Sequence, residues 1–160
     1  MTAEPVRLHL RSPAQTEALA AQLAALSGPG DLLLLTGGIG AGKTVFARGF
    51  ARALGVRDAV TSPTFVLHSI YDSGRLAMNH FDLYRLEAQA EIDELAIWEF
   101  MDGAVTLVEW ADRCGGFDAP FVTLAFELAP AETERWVTIT ATGEPWRERL
   151  ERLSLAPASS

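Results

Sequence analysis

Apolar positions recur along the chain with two periods, and the alternation between them predicts an α/β fold. Val6 to Leu10 alternates with period two and reads as a first strand. Ser12-Pro13-Ala14-Gln15 then supplies an N-cap, a first-turn proline and a capping-box glutamine, so a helix should follow at once. Leu19, Leu23 and Leu26 form its stripe, and Gly28-Pro29-Gly30 stops it. Leu32 to Thr36 is apolar on both faces, the pattern of a central parallel strand. Val45, Phe46, Ala47, Phe50, Ala51 and Leu54 then recur at helical spacing up to Gly55, a natural residue just past a helix end.

The second half continues the alternation. A short strand is expected around Ala59 and Val60, and Val66 to Tyr71 with Leu76 to Phe81 flanks Asp72-Ser73-Gly74-Arg75 as an antiparallel hairpin. Ala88 to Phe100 carries Ile92, Leu95, Ala96 and Phe100 at helical intervals among acids, which fits one helix or two short ones before Gly103. Trp98 within it reads as core or as an interface plug. Ala104 to Val108 is a second apolar strand, and the Gly-, Asp- and Pro-rich stretch 111–120 reads as an exposed loop. Phe121 to Leu128 and Arg135 to Thr142 form a closing hairpin, with Thr138, Thr140 and Thr142 on the face away from Val137, Ile139 and Ala141. Pro145 to Leu153 predicts a last amphipathic helix, and the final residues, 155–160, should fray.

Composition narrows the class. The 160 residues are 49% hydrophobic and 21% charged, which indicates one globular domain over 1–160. No stretch approaches a membrane span and the N-terminus lacks an apolar signal core, so a cytoplasmic protein without membrane contact is expected. Cys114 is the single cysteine, which excludes an internal disulfide and a Cys-based zinc site. With 13 basic and 21 acidic residues the formal charge is 13 − 21 = −8, and such a surface repels a phosphate backbone. DNA is not an expected partner, and any RNA would be held mainly by something else.

Between the leucine strand and its helix lies Gly37-Gly38-Ile39-Gly40-Ala41-Gly42-Lys43-Thr44, which fits G-x-x-x-x-G-K-[ST]. Successive N–H groups of such a loop converge on phosphate oxygens, and the following helix adds its positive end. Lys43 would reach the β- and γ-phosphates and the Thr44 hydroxyl would ligate Mg²⁺. Twelve of the 13 basic residues are arginine, so Lys43 is the only lysine and stands where a slim ammonium must fit between phosphates. Hydrolysis also needs an acid for the metal and a group to aim water. Glu109 ends an apolar strand as a Walker B acid does, and Asp82 ends a neighbouring strand; both read either as catalytic carboxylates or as ordinary strand-end acids. Thr61-Ser62-Pro63-Thr64-Phe65 reads as a γ-phosphate sensor or as a polar turn. His80 suits a hydrogen-bonded strand histidine, Arg85 an ion pair with an acid, and Trp110 either the core or a wall of the site. No N-K-x-D sequence is present, so adenine is the default base and ATP the expected nucleotide.

The loop I-G-A-G-K-T, Ser62-Pro63-Thr64-Phe65, His80-Phe81-Asp82-Leu83-Tyr84-Arg85-Leu86 and Val108-Glu109-Trp110 occur in the order and at the spacings of the TsaE (YjeE) family, which the chain resembles from about Leu8 to Gly143. The resemblance implies a P-loop NTPase-like mixed β-sheet flanked by helices in three α/β/α layers. It also implies an Mg²⁺-dependent ATPase that works with a TsaD-TsaB heterodimer in threonylcarbamoyladenosine modification of tRNA, touching tRNA only through those partners. Carried over by resemblance, Thr44 and Glu109 are Mg²⁺ ligands, residues 40–44 contact phosphate, Asp82 serves hydrolysis, and Ser62 and Thr64 lie in a switch-like loop. Ser12 and Thr16 would help form the adenine pocket, and Arg135 would close over the nucleotide. Family members usually carry an acid where this chain has Gly38, so hydrolysis is expected to be slower or to lean more on Asp82. A small-molecule kinase and a nucleotide-gated binding module without turnover are the competing readings.

Overall fold

The leucine run is the middle of the molecule. In the computed structural model, which describes residues 4–38, 40–60, 67–113 and 116–154, it forms β2 (Leu32–Thr36), flanked by parallel strands on both sides. Leu33 and Leu35 point into one hydrophobic core, Leu32 and Leu34 into another, so each face of the strand is covered. That is why the run shows no polar alternation.

The other strands are β1 (Val6–Leu10), β3 (His68–Tyr71), β4 (Ala77–Asp82), β5 (Ala104–Glu109), β6 (Phe121–Leu128) and β7 (Arg135–Thr142). They form one seven-stranded mixed sheet in the order β1-β7-β6-β2-β5-β4-β3. Strands β4, β5, β2 and β6 run parallel, while β3, β7 and β1 join antiparallel at the two sides. Helices α1 (Pro13–Leu26), α2 (Lys43–Leu54) and α5 (Trp146–Leu150) pack on the face that carries Leu33 and Leu35. On the opposite face, α3 (Gln89–Glu94) and α4 (Ile97–Phe100) contribute Ile92 and Ile97 to the smaller core. A three-layer α/β/α arrangement results, with a thin second helical layer.

Local chemistry explains the element ends. Ser12 Oγ accepts the Gln15 N–H at 3.3 Å, while Gln15 Oε1 accepts from Arg11 N at 2.7 Å, one residue before the expected capping-box partner. Helix α1 buries Thr16, Leu19, Ala20, Leu23 and Ala24, and α2 buries Phe46, Ala47, Phe50, Ala51 and Leu54 against it and the sheet. Burying the two phenylalanines alone contributes roughly 1.5–3 kcal/mol each. The turn between β3 and β4 is fixed by α2: Arg75 N donates to Leu54 O at 2.7 Å, and a Cβ on Gly74 would lie 2.6 Å from that oxygen. Arg75 also donates to Ala24 O and Ser27 O, so one side chain ties the hairpin to the end of α1.

Two expectations change, for residues 59–60 and for the last helix, and the choice left open over 88–100 falls to two short helices. Residues 59–60 form no strand; Arg48 Nε donates to Val60 O at 2.9 Å instead of a ladder partner doing so. The segment 88–100 splits because Ala96 adopts φ +49°, which ends α3 and restarts the chain as α4. The last helix spans only Trp146–Leu150. Ile39, the stretch 61–66 with Ser62 and Thr64, Cys114 and the tail 155–160 lie outside the described residues. Among the described residues no helix is long and apolar enough to cross a membrane.

Candidate functional site

Strand register assembles the site. Leu35 of β2 pairs with Glu109 of β5, and Glu109 pairs with Asp82 of β4. Both acids therefore end at the carboxyl edge of adjacent parallel strands, about 4.8 Å apart in strand spacing, next to the glycine-rich loop that leaves β2. Their side chains share the α2 side of the sheet because residues two apart on a strand share a face. Both are buried.

The loop approaches the sheet too closely for any side chain at Gly37, where φ is +131° and an added Cβ would stand 2.5 Å from Phe126 O. Gly42 caps α2 in the left-handed region, and Lys43 begins the helix. The Lys43 ammonium donates to Gly37 O and, at 3.0 Å, to Gly38 O, and it lies 4.0 Å above the Trp110 ring. Burial lowers its pKa from the usual 10.5, with Glu109, Asp82 and Asp112 opposing that shift in decreasing order. Gly38 has an ordinary φ, and a Cβ added there would find nothing within 4 Å, so a side chain at this position would meet open space.

Each acid is held. His80 Nε2 and Glu109 Oε2 are 2.6 Å apart, with both side chains almost wholly buried, and Asp82 Oδ1 accepts from Tyr84 N at 2.9 Å. Thr44 and Val45 follow Lys43 on the rim of a cleft of about 520 Å³. Trp110 takes φ +59°, an unusual value for a tryptophan, and this turns its ring toward Lys43 and to 4.8 Å from the Tyr84 ring. Arg113 stacks beyond, 5.7 Å from Trp110, and donates to Leu86 O at 3.1 Å. Across the cleft, Arg135 Nε and Nη2 donate to Gly40 O at 3.2 and 2.9 Å while Nη1 donates to Glu132 O and Glu134 O at 2.6 Å each. The loop is thus fastened to the β6–β7 turn.

One cleft brings together Thr16, Gly40, Ala41, Gly42, Lys43, Thr44, Asp82, Glu109, Trp110 and Arg135. Ser12 is not on its wall; its hydroxyl caps α1, and Pro13 and Thr16 occupy that side. His80 lies buried behind Glu109, and Arg85 is exposed on the turn after β4, off the cleft. Tyr84, Glu132 and Thr133 line the cleft without having been singled out from sequence. Tyr84 sits two residues beyond Asp82, which could have flagged it; Glu132 and Thr133 belong to a hairpin turn with no local signal. Among the described residues no three His, Cys, Asp or Glu side chains converge to hold a metal ion unaided.

Comparison with known proteins adds an independent line. The family described as "Threonylcarbamoyl adenosine biosynthesis protein TsaE" matches residues 10–137. A tRNA threonylcarbamoyladenosine biosynthesis protein TsaE of Bacillus subtilis is 40% identical over 145 residues, covering 89% of this chain and 90% of that protein. The Streptomyces coelicolor protein of the same name is 37% identical over 135 residues, covering 80% of this chain and 91% of its own. The crystal structure of Bacillus subtilis YdiB superposes with a TM-score of 0.77 at 32% identity, covering 96% of each chain. Sequence and fold agree along nearly the whole length, and the chain belongs to the TsaE family of threonylcarbamoyladenosine biosynthesis proteins.

Proposed function

We propose that this chain is an ATP-binding and ATP-hydrolysing subunit for threonylcarbamoyladenosine modification of tRNA, acting with a TsaD-TsaB pair. The observation that carries the reading is the position of Lys43: the only lysine of the chain starts α2 on the same cleft as two buried carboxylates at neighbouring strand ends. A helix N-terminus with an ammonium suits phosphate, and acids at that edge suit the magnesium that accompanies it.

The residues fit Mg²⁺-ATP. Thr44 and Glu109 offer hard oxygen donors, and magnesium usually takes one or two protein oxygens and completes its shell with phosphate and water. Bound there, the nucleotide and its metal would supply an electrophilic γ-phosphoryl group. Lys43 would leave its loop carbonyls for phosphate oxygens. Asp82, fixed by the Tyr84 N–H, would accept a hydrogen bond from the attacking water and orient it. Trp110 and Tyr84 would keep bulk water off that edge, and Arg135 would hold the loop in its phosphate-facing shape. Thr16 and Pro13 would face the base. A charge of −8 supports a subunit that leaves tRNA to its partners.

The test is ATP hydrolysis by the purified chain, alone and with TsaD-TsaB, for wild type and Lys43→Ala. The expected result is at least a tenfold rise with the pair, about 1.4 kcal/mol of barrier, lost in the variant. Unchanged turnover on adding the pair would sink the partner reading, and full turnover in Lys43→Ala would sink the site.

A further inference from the structure

The α3–α4 arm plays no part in the nucleotide cleft, yet its surface is unusual. From Glu87 to Asp112 there is no lysine or arginine, and Glu87, Glu91, Asp93, Glu94, Glu99 and Asp102 all fall on or beside the arm. A second cleft, of about 500 Å³, lies between the arm and residues 116–119. Its floor is apolar, with Ile92 and Ile97 buried and Met101 and Phe117 partly so, while the exposed Asp93 and Asp118 stand at its edge. Trp98 lines the same cleft and is 62% exposed. The chain geometry puts it there: Ala96, left-handed at φ +49°, starts α4 so that Ile97 enters the core and Trp98 faces out. A backbone conformation unfavourable for alanine is thus spent on presenting an indole beside an apolar trough, the residue type that most often anchors protein interfaces.

The charges select the occupant. An acidic rim repels RNA phosphates. No three acids among the described residues converge on a metal ion, and the partner that complements such a rim electrostatically is one carrying basic side chains. We infer that this cleft docks a segment of a protein partner that presents an apolar side chain flanked by Lys or Arg. The arm is rooted beside the nucleotide site: Asn79 Nδ2 donates to Phe100 O at 2.6 Å and to Thr106 Oγ1 at 3.2 Å, three residues before Asp82 on β4. A segment docked on the arm therefore bears on the strand that ends in a proposed catalytic acid. The inference rests on the partner reading above for its probe, the TsaD-TsaB pair.

The experiment measures binding of the full chain to purified TsaD-TsaB by calorimetry at low and moderate salt, for wild type, Trp98→Ala and the double variant Asp93→Arg/Asp118→Arg. All three substituted positions are exposed, so the fold should persist, and circular dichroism with binding of a fluorescent ATP analogue by the isolated chain checks it. Expected are a wild-type affinity that falls with salt and at least tenfold weaker binding in both variants, with ATP-analogue binding unchanged. Wild-type affinity in both variants would overturn the docking surface while leaving the partner reading intact. Absence of any wild-type complex would overturn both. Self-association or tRNA binding by the isolated wild type that Trp98→Ala abolishes would assign the face to a second copy or to RNA, and overturn the inference as well.

Discussion

Replacing His80 by phenylalanine isolates one buried bond. The Glu109 carboxylate can only accept, so the 2.6 Å contact assigns the hydrogen to His80 Nε2. Among the described residues Nδ1 finds no partner and the ring's polar contact is the one through Nε2. Phenylalanine keeps the ring volume, and the change removes the bond without opening a cavity. A hydrogen bond to a charged, buried partner is worth about 1.5–3 kcal/mol, and for a chain of this size each kcal/mol shifts Tm by roughly 2–4 °C. His80→Phe should therefore melt about 3–12 °C lower. Its functional effect follows from Glu109 losing its anchor: removing a group that orients a metal ligand typically weakens metal affinity 10- to 100-fold. A Mg²⁺ titration of fluorescent ATP-analogue binding should shift to at least tenfold higher Mg²⁺, and His80→Gln, which restores an N–H, should recover part of the shift. If His80→Phe melts lower but keeps its Mg²⁺ midpoint within twofold, the bond is structural and the positioning argument fails.

Two further outcomes separate cradle from scaffold. Gly37→Ala sets a Cβ 2.5 Å from Phe126 O at φ +131°, and Gly74→Ala sets one 2.6 Å from Leu54 O; both should destabilise by at least about 2 kcal/mol in denaturant unfolding, the range of overpacked sites, but only Gly37→Ala should weaken ATP-analogue binding at temperatures where each is folded. Lys43→Met tests the cost of the buried ammonium: the folded pKa lies below 10.5, so in the window between the two values the unfolded chain binds more protons and wild-type stability rises with pH relative to the variant. Unfolding at pH 7 and at pH 10 should show Lys43→Met more stable at pH 7 and the gap smaller at pH 10; a gap that widens would refute the desolvation argument.

The sequence carried those parts of the site whose chemistry is written in the backbone or at strand ends. Gly37 and Gly42 are legible because few other residues tolerate their conformations, and Glu109 and Asp82 because an acid after an apolar strand stands at the edge where ligands bind. Register was not legible: nothing local says that Asp82 pairs with Glu109. Glu132 and Thr133 reach the cleft only because the β6–β7 hairpin folds beside the loop and Arg135 fastens the two. Ser12 caps α1 through its hydroxyl and stands beside Pro13 and Thr16, which line the cleft, a placement set by where the helix starts. The break at Ala96 carries no glycine or proline signal, and the period alone left one helix or two open. Ala59 and Val60 have strand composition but no ladder partner, and composition without pairing does not make a strand.

The cost of the site argues for its use. Lys43, His80, Asp82 and Glu109 are each no more than 5% exposed, at one edge of a sheet whose central strand β2 is a run of four buried leucines. Charged groups buried for stability alone are usually replaceable by apolar ones of similar size without loss. Here each is fixed by a separate contact, Lys43 to loop carbonyls, Glu109 to His80 and Asp82 to the Tyr84 N–H, so the charges are oriented by the fold itself. For the two carboxylates that orientation is in place before any ligand arrives, which is what stabilises a developing charge with little reorganisation, while Lys43 is held beside the loop until phosphate replaces its carbonyl partners. A scaffold would gain nothing from that arrangement, which is why its expected signature is a variant such as Lys43→Met that gains stability at pH 7 while losing the nucleotide.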